Sequence, residues 1–377
     1  MEWIEITQLP YFGFFAAFAA VVFVQLGFFW GIFSRLAFHR IRPVRHDQLP
    51  PVSVVICARN EYQNLKSNLP LIFAQDYPGF EVVVVNDASE DDSQYLLKDF
   101  GAAHPNLSIV TIEKDLNFFR GKKFPLSIGI KSAKHEILLL TDADCKPASD
   151  QWIRHMVAGY RANTAIVLGY GGYEPTRGFL SVFQRFETFQ TALMYLSMAL
   201  SHIPYMGVGR NLSYRKSLFY SSNGFISHYS IPSGDDDLFV NQAARKGNTT
   251  VSLHPDGFTY TRPKRTFAEW IRQKRRHFTT GKHYRWYHRM ILGLFSLSQW
   301  AFFILFVLLL AIGFPWYLTL GGFALRLCSQ WLIYGYAMKK LKTRKILLIS
   351  PILEPLLLLM LTYIVLTNQF VRQPRWK

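Results

Sequence analysis

Ile137-Leu138-Leu139-Leu140-Thr141-Asp142-Ala143-Asp144 is a short aliphatic run that stops on two carboxylates one residue apart. Four branched aliphatics in a row read as a strand buried on both faces, the kind found in parallel sheets. Asp142 and Asp144 cannot both enter an apolar interior without large cost, so they need solvent or a cation. A hard divalent ion, with substrate phosphates completing its shell, answers both charge and geometry. Two carboxylates in this spacing are a frequent accident in general, but much less so at the end of a four-residue aliphatic strand.

Three similar runs precede it, at Val52–Cys57, Glu81–Asn86 and Leu107–Ile112, and the fourth spans Glu136–Thr141. Helical patterns separate them, which is the signature of an α/β fold with a mostly parallel, helix-covered sheet. Such sheets bind ligands beyond the C-terminal strand ends, at a topological switch point. Polar patches close three of the four runs: Ala58-Arg59-Asn60-Glu61, Asn86-Asp87-Ala88-Ser89 and Thr141-Asp142-Ala143-Asp144. The first opens a helix whose early amides would face a phosphate or a ribose. On its own it is also readable as an N-cap at Asn60. The second is equally readable as a capped acidic turn.

Further along, Gly234-Asp235-Asp236-Asp237 sets three carboxylates side by side before an apolar helix. Adjacent like charges raise one another's pKa, which suits a general base. A solvated acidic turn is the plainer alternative, although capping alone hardly needs three carboxylates.

The chain has 377 residues, half of them hydrophobic and 16% aromatic, and the apolar content gathers at the two ends. That pattern predicts membrane spans around one large soluble domain. The net charge of +17 must then sit on the soluble part and the loops, where polyanions, anionic lipid headgroups or a diphosphate are the natural partners. Cys57, Cys145 and Cys328 show no paired or zinc-ligand spacing and read as buried thiols in a reducing compartment.

Tyr11–Phe33 is long enough to span a bilayer. Acidic Glu2 and Glu5 before it, and no small-residue cleavage site after it, argue against a signal peptide. Arg35, Arg40, Arg42 and Arg45 follow, so the positive-inside bias places the region from residue 35 onward in the cytoplasm, as in a bacterial-type inner membrane. Leu292–Phe314 and Pro315–Met338 read as an antiparallel pair around Gly313-Phe314-Pro315. Ile346–Leu366, with Pro351, Glu354 and Pro355, reads as a kinked span, with a re-entrant segment as the alternative. A full span would leave Arg372, Arg375 and Lys377 outside, mildly against the bias, and Glu354 would serve helix packing or a headgroup. The organisation expected is a span in 1–34, a cytosolic domain in 35–290 and a membrane bundle in 291–377.

Between Arg262 and Arg289 ten Lys or Arg stand against one acid, Glu269, interleaved with aromatics. A nucleic-acid-binding stripe has that look. The run leads straight into a span, however, and reads better as an interfacial helix over 262–290 against anionic lipid. No nucleic-acid partner is expected. The aromatic stretch Phe179–Tyr205 reads as a core or membrane-interface helix rather than a carbohydrate cleft.

In order and content these patches resemble the family-two inverting glycosyltransferases, above all the membrane-embedded branch of cellulose and hyaluronan synthases. The resemblance runs over about residues 50 to 290 and implies a GT-A-type domain using a nucleotide-sugar, with uridine as the base. It implies that Asp87 reads the uracil, with Ala58, Arg59 and Glu61 nearby, and that Asp142 and Asp144 hold Mn²⁺ or Mg²⁺, with Asp144 the more direct ligand. Gly121-Lys122-Lys123 followed by Leu126-Ser127-Ile128-Gly129 is similar to the family's lysine-bearing helix, which sets Lys122 and Lys123 beside the diphosphate, with Ser127 in place of Asn. Met206-Gly207-Val208-Gly209 looks like its acceptor-side strand, where Gly207 and Gly209 allow close approach of a sugar.

Gly234-Asp235-Asp236-Asp237 is similar to the family's acidic run, whose second acid is the base. Counting from the glycine makes that Asp236, and a second alignment makes it Asp235. Gln273-x-x-Arg276-His277 resembles the Gln-x-x-Arg-Trp motif of processive members, which assigns the diphosphate to Gln273 and Arg276, with His277 where the stacking Trp stands. The function implied is single sugar transfer to a lipid or lipid-linked acceptor at the cytoplasmic membrane face. A processive polysaccharide synthase, working as an oligomer, is the alternative enzyme, and a membrane-anchored nucleotide-sugar-binding scaffold the alternative without turnover.

Overall fold

The structure, a computed structural model, describes residues 10–41, 49–113, 121–368 and 370. Of the charged flanks named above, Glu2, Glu5, Arg42, Arg45, Arg372, Arg375 and Lys377 lie outside the described residues. The chain divides into two compact units, Met1–His39 with Arg285–Leu358 and Arg40–Tyr284 with Leu359–Lys377.

Among its described residues the second unit is built on ten strands, β1 (Val52–Ala58), β2 (Phe80–Asp87), β3 (Leu107–Ile112), β4 (Ile137–Asp142), β5 (Cys145–Pro147), β6 (Ile166–Leu168), β7 (Gly171–Tyr173), β8 (Leu212–Arg215), β9 (Thr249–Val251) and β10 (Thr259–Thr261). The first four fall within a residue or two of the runs expected from sequence. A seven-stranded sheet has the order β3-β2-β1-β4-β8-β6-β9, and a second sheet the order β5-β10-β7. β1 lies parallel to both β2 and β4, and β2 parallel to β3, whereas β8 runs antiparallel to β4 and β6. The strand order therefore reverses between β1 and β4, which makes their C-terminal ends the switch point. In register, Ala58 pairs with Asn86 and Cys57 with Asp142, so three polar strand ends reach one edge together.

Alternation along the strands covers the sheet on both faces. Val52, Val54, Ile56, Val82 and Val84 pack with Leu65, Leu69, Ile72 and Leu97 of the helices Tyr62–Phe73 and Ser93–Ala103. Val55 and Val85, of opposite parity, meet the helix Lys123–Ser132 so closely that a Cβ at Gly129 would lie 2.8 Å from Val85 and 2.9 Å from Val55. The helix Phe179–Leu200 is buried along nearly its whole length and belongs to the core, the first of the two readings its sequence allowed.

Among the described residues, three helical rods are long and apolar enough to cross a membrane: Phe12–Ala37, Trp286–Ala311 and Arg344–Asn368. Pro315–Met338 also forms a helix, Trp316–Lys340, but it is not among the three. Its buried face carries Arg326, Ser329 and Gln330, which lower its apolar content. Within the first unit, Phe18, Val22, Phe302, Leu309 and Phe314 form an aromatic-rich core. Glu354 is buried there as a packing partner. It takes two hydrogen bonds from Arg326, at 2.5 and 2.9 Å, and one each from Gln299 and Gln330 at 2.9 Å. Bidentate pairing and added donors are what a buried ion pair needs to persist in apolar surroundings. Cys57 and Cys145 are buried as expected, but Cys328 is exposed, because it lies on the outer side of its helix while Arg326 and Gln330 take the inner one.

Candidate active site

The loops after β1 and β2 are stitched together. The Asn60 amide donates to Ser89 Oγ at 3.0 Å, Glu90 N donates to Asn60 Oδ1 at 2.8 Å, and Tyr62 N donates to Asp91 Oδ2 at 3.0 Å. Asn60 is thus not a helix cap. It sits at φ 54°, a left-handed conformation that Asn tolerates, and ties one strand end to its neighbour. Asp87, almost fully buried, has Arg59 Nη1 3.8 Å from its carboxylate.

Beyond β4 the carboxylates are unequal. Lys122 Nζ hydrogen-bonds Asp142 and stands 3.8 Å from Asp235. Burial works against charge on both partners, yet Asp142 and Asp235 hold the lysine well above its usual pKa, and Lys122, helped by Arg210 and Arg276, holds Asp142 below the usual carboxylate range. Asp144 is pushed up instead, by burial and then by Asp142 and Glu61. Ligand atoms of Asp142, Asp144 and Cys145 lie within 4.8 Å of one another. A carboxyl raised by its like-charged neighbour is an arrangement that a divalent cation relieves, so the donor set fits one. Asn68 Nδ2 donates to the Ala143 carbonyl at 2.9 Å and fixes the loop between the two acids. Cys57 is held protonated by burial, its pKa pushed up to about 12, and burial raises Cys145 well above the usual thiol value.

The three acids of the run part company. Asp235 faces Lys122. Asp236 accepts from Gly209 N at 2.7 Å and Asp237 N at 2.8 Å, and burial, with Asp235 and Asp237 beside it, pushes its pKa up to about 7. Asp237 is buried and structural: Tyr284 OH donates to it at 2.6 Å, Leu238 N at 2.7 Å, and the Thr280 hydroxyl also donates. Gly234 enters the run at φ 99°, where a Cβ would lie 2.5 Å from Leu238.

Several expectations need correction. Lys123 does not join Lys122. It is buried and donates to the carbonyls of His228 at 2.5 Å and Ile231 at 2.9 Å, clamping the loop before the acidic run, and burial lowers its pKa to about 8. Adjacent helical residues point about 100° apart, so only one of the pair can face the strand ends. Gly207 is a packing glycine, its missing Cβ leaving room for Leu168 and Leu212 at 3.0 Å. The close approach at Gly209 is to Asp236, whose Oδ2 a Cβ would meet at 3.4 Å.

The helix Phe267–His277 starts on a capping box of Thr266 and Glu269 and ends on Lys274, Arg275, Arg276 and His277, cations that suit a helix C-terminus. It is anchored by buried Trp270 against Phe183 and by Lys274, 2.6 Å from Glu187. Gln273 Oε1 accepts from Tyr173 OH at 3.2 Å, Arg276 acts electrostatically on Asp142, and His277 is exposed. Arg210, the residue after Gly209, went unassigned in the sequence. Its guanidinium lies over the Tyr173 ring at 5.0 Å and draws both Asp142 and Asp144 downward in pKa. A second group, His155, His254 and Asp256, stacks its imidazoles 3.8 Å apart and 7° from parallel. Lone pairs in parallel ring planes do not converge on one ion.

This mostly parallel mixed sheet, with carboxylates at its strand ends, is a GT-A-like fold. The chain belongs to glycosyl transferase family group 2, whose model matches residues 138–368, and the glycosyl transferase family 2 model matches residues 53–220. Among curated relatives it is 26% identical over 239 residues to glycosyltransferase AglE of Haloferax volcanii, covering 62% of this chain and 73% of that protein. It is also 26% identical to poly-beta-1,6-N-acetyl-D-glucosamine synthase of Staphylococcus epidermidis over 133 residues, 35% of this chain and only 31% of the synthase. In fold it is similar to mannosyltransferase PcManGT from Pyrobaculum calidifontis, solved with GDP-Man and Mn²⁺, at a TM-score of 0.58 and 20% identity over 90% of this chain and 96% of that one.

Proposed function

We propose that this protein is a metal-dependent, inverting glycosyltransferase that moves a sugar from a nucleoside diphosphate donor to a lipid or lipid-linked acceptor at the cytoplasmic face of a membrane. The observation that carries the reading is the meeting, at one sheet edge, of Asp142 and Asp144 with Lys122 and Asp235. Asp236, tuned to a pKa of about 7, takes the proton from the acceptor hydroxyl as that oxygen attacks the anomeric carbon. The anomeric C–O bond to the diphosphate breaks on the opposite side, and Arg276 takes up the charge left on the departing oxygen. Mn²⁺ or Mg²⁺ bound by Asp142 and Asp144 would add Lewis-acid stabilisation of that leaving group. Arg59 and Asp87 serve the nucleoside end, and the solved relative's GDP-Man sets guanosine beside uridine as the base to test.

The apolar rods on either side of the catalytic unit in the chain support a membrane-borne acceptor and an integral membrane protein. A processive polysaccharide synthase is the second reading, favoured by the relation to the poly-N-acetylglucosamine synthase and by Gln273-x-x-Arg276. Three apolar rods among the described residues are few to line a polymer channel, and His277 replaces the stacking aromatic.

The test is nucleoside diphosphate release by detergent-purified protein across UDP- and GDP-sugars, with and without Mn²⁺ or Mg²⁺, beside Asp144→Asn. Metal-dependent release from one donor, lost in the variant, supports the proposal. Release unaffected by chelation or by the variant refutes the metal assignment, and product length on a defined primer separates single transfer from polymerisation.

A further inference from the structure

Arg210 is held more firmly than any packing role asks. Its carbonyl accepts from the hydroxyls of Thr141 at 3.0 Å and Thr259 at 2.9 Å, which locks its backbone between β4 and β10. Its side chain lies over Tyr173, and it fits because Gly171 has no Cβ, which would stand 2.9 Å from Arg210 Cβ. For all this fixing, Nη1 is buried with no hydrogen-bond partner among the described residues. An unpaired buried guanidinium N–H is costly, and such a group is normally completed by an acceptor.

The sheet order says which acceptor. β2, β1, β4 and β8 lie side by side, with Asp87 at the end of β2, Asp142 at the end of β4 and Arg210 two residues before β8. Neighbouring strands are about 4.8 Å apart, so Arg210 stands roughly three strand spacings from the nucleoside end, on the far side of the metal-binding acids. A nucleoside diphosphate laid along this edge from Asp87 presents its terminal phosphate there. A planar, fixed guanidinium matches phosphate oxygens in a bidentate way that Lys does not.

We infer that Arg210 grips the terminal phosphate of the donor's diphosphate and stays on it as it becomes the leaving group. The inference rests on the nucleotide-sugar reading of the site given above. Its test is titration calorimetry of the full-length, detergent-purified chain with UDP, UMP, GDP and GMP in the presence of Mn²⁺, for wild type, Arg210→Lys and Arg210→Met. Wild type prefers one diphosphate to its monophosphate. Arg210→Met weakens that diphosphate about 10- to 100-fold while changing the monophosphate less than about threefold, and Arg210→Lys falls between. The melting temperature of the nucleotide-free protein is the folding control for both variants, because Arg210→Met gives up no hydrogen bond of Nη1 but does remove the cation over Tyr173 and beside Asp142 and Asp144. Equal loss of diphosphate and monophosphate, or no loss of either, overturns the inference and leaves the site reading standing. Wild type that binds none of the four nucleotides overturns the site reading and the inference with it.

Discussion

Asp236→Asn removes the proposed base while nearly preserving its shape. A positioned general base contributes about 10²- to 10⁴-fold in rate, or roughly 3 to 5 kcal/mol of barrier at 1.36 kcal/mol per tenfold. The geometry limits the collateral damage. Asp236 accepts from two backbone amides, Gly209 N and Asp237 N, and an asparagine oxygen can keep one of them while its NH₂ meets the other donor. That mismatch costs about 1–3 kcal/mol of stability. It is partly offset, because a carboxyl raised from 3.8 to about 7 destabilises the fold increasingly as pH climbs through that window, and asparagine carries no charge there.

The same pKa sets the pH profile. The base must be ionised, so kcat/KM of the wild type rises with pH along a limb centred near 7, with about a tenth of the sites active one unit below and about nine-tenths one unit above. Initial rates of nucleoside diphosphate release between pH 5 and 9, with calorimetric nucleotide binding as control, measure both effects. Asp236→Asn should lose at least a hundredfold in kcat with nucleotide affinity kept within threefold. A variant that turns over within threefold of wild type, or a wild-type limb near pH 4, would refute the assignment. A large loss in Asp235→Asn alone would transfer the role to that residue.

Lys122→Met leaves Asp142 and Asp235 without their shared counter-charge. It should tighten Mn²⁺ binding to the nucleotide-free protein several-fold while weakening nucleoside diphosphate binding about tenfold, both by calorimetry, and weaker metal binding would contradict the electrostatic picture. Gly234→Ala, at φ 99° with Leu238 2.5 Å from the new Cβ, should cost about 1–3 kcal/mol and lower the melting temperature of the catalytic unit by several degrees. Lys274→Met strands the buried Glu187 and should destabilise by about 3–5 kcal/mol, whereas Lys274→Met with Glu187→Leu should recover most of that loss in a denaturant titration.

What could be read in advance followed from properties carried by a few neighbouring residues. Continuous aliphatic runs ending in polar patches located β1, β2 and β4, because a doubly covered parallel strand has no polar side to show. The acids at 142 and 144 announced themselves through the cost of burying charge. The helix Trp316–Lys340 was the weaker case: its length was visible, but the pairing of Arg326 with Glu354, which accounts for a charge on its buried face, joins residues 28 apart in sequence.

Lys122 and Lys123 are chemically identical in sequence, and only the orientation of the helix Lys123–Ser132 on the sheet sends one to Asp142 and the other to the carbonyls of His228 and Ile231. Three adjacent aspartates could not be ranked until Gly209, Lys122 and Tyr284 arrived from distant segments to give each a different partner. Arg210 carried no signal at all, since its standing depends on Thr141, Tyr173 and Thr259 converging on it. The sequence by itself determined the α/β class, the strand ends that carry the candidate site and the apolar rods, because hydrophobic periodicity and charge placement are local and leave a local trace. Only the tertiary structure decided which lysine, aspartate and arginine face the strand ends, because side-chain pairing and desolvation are set by residues that meet in space and are far apart along the chain.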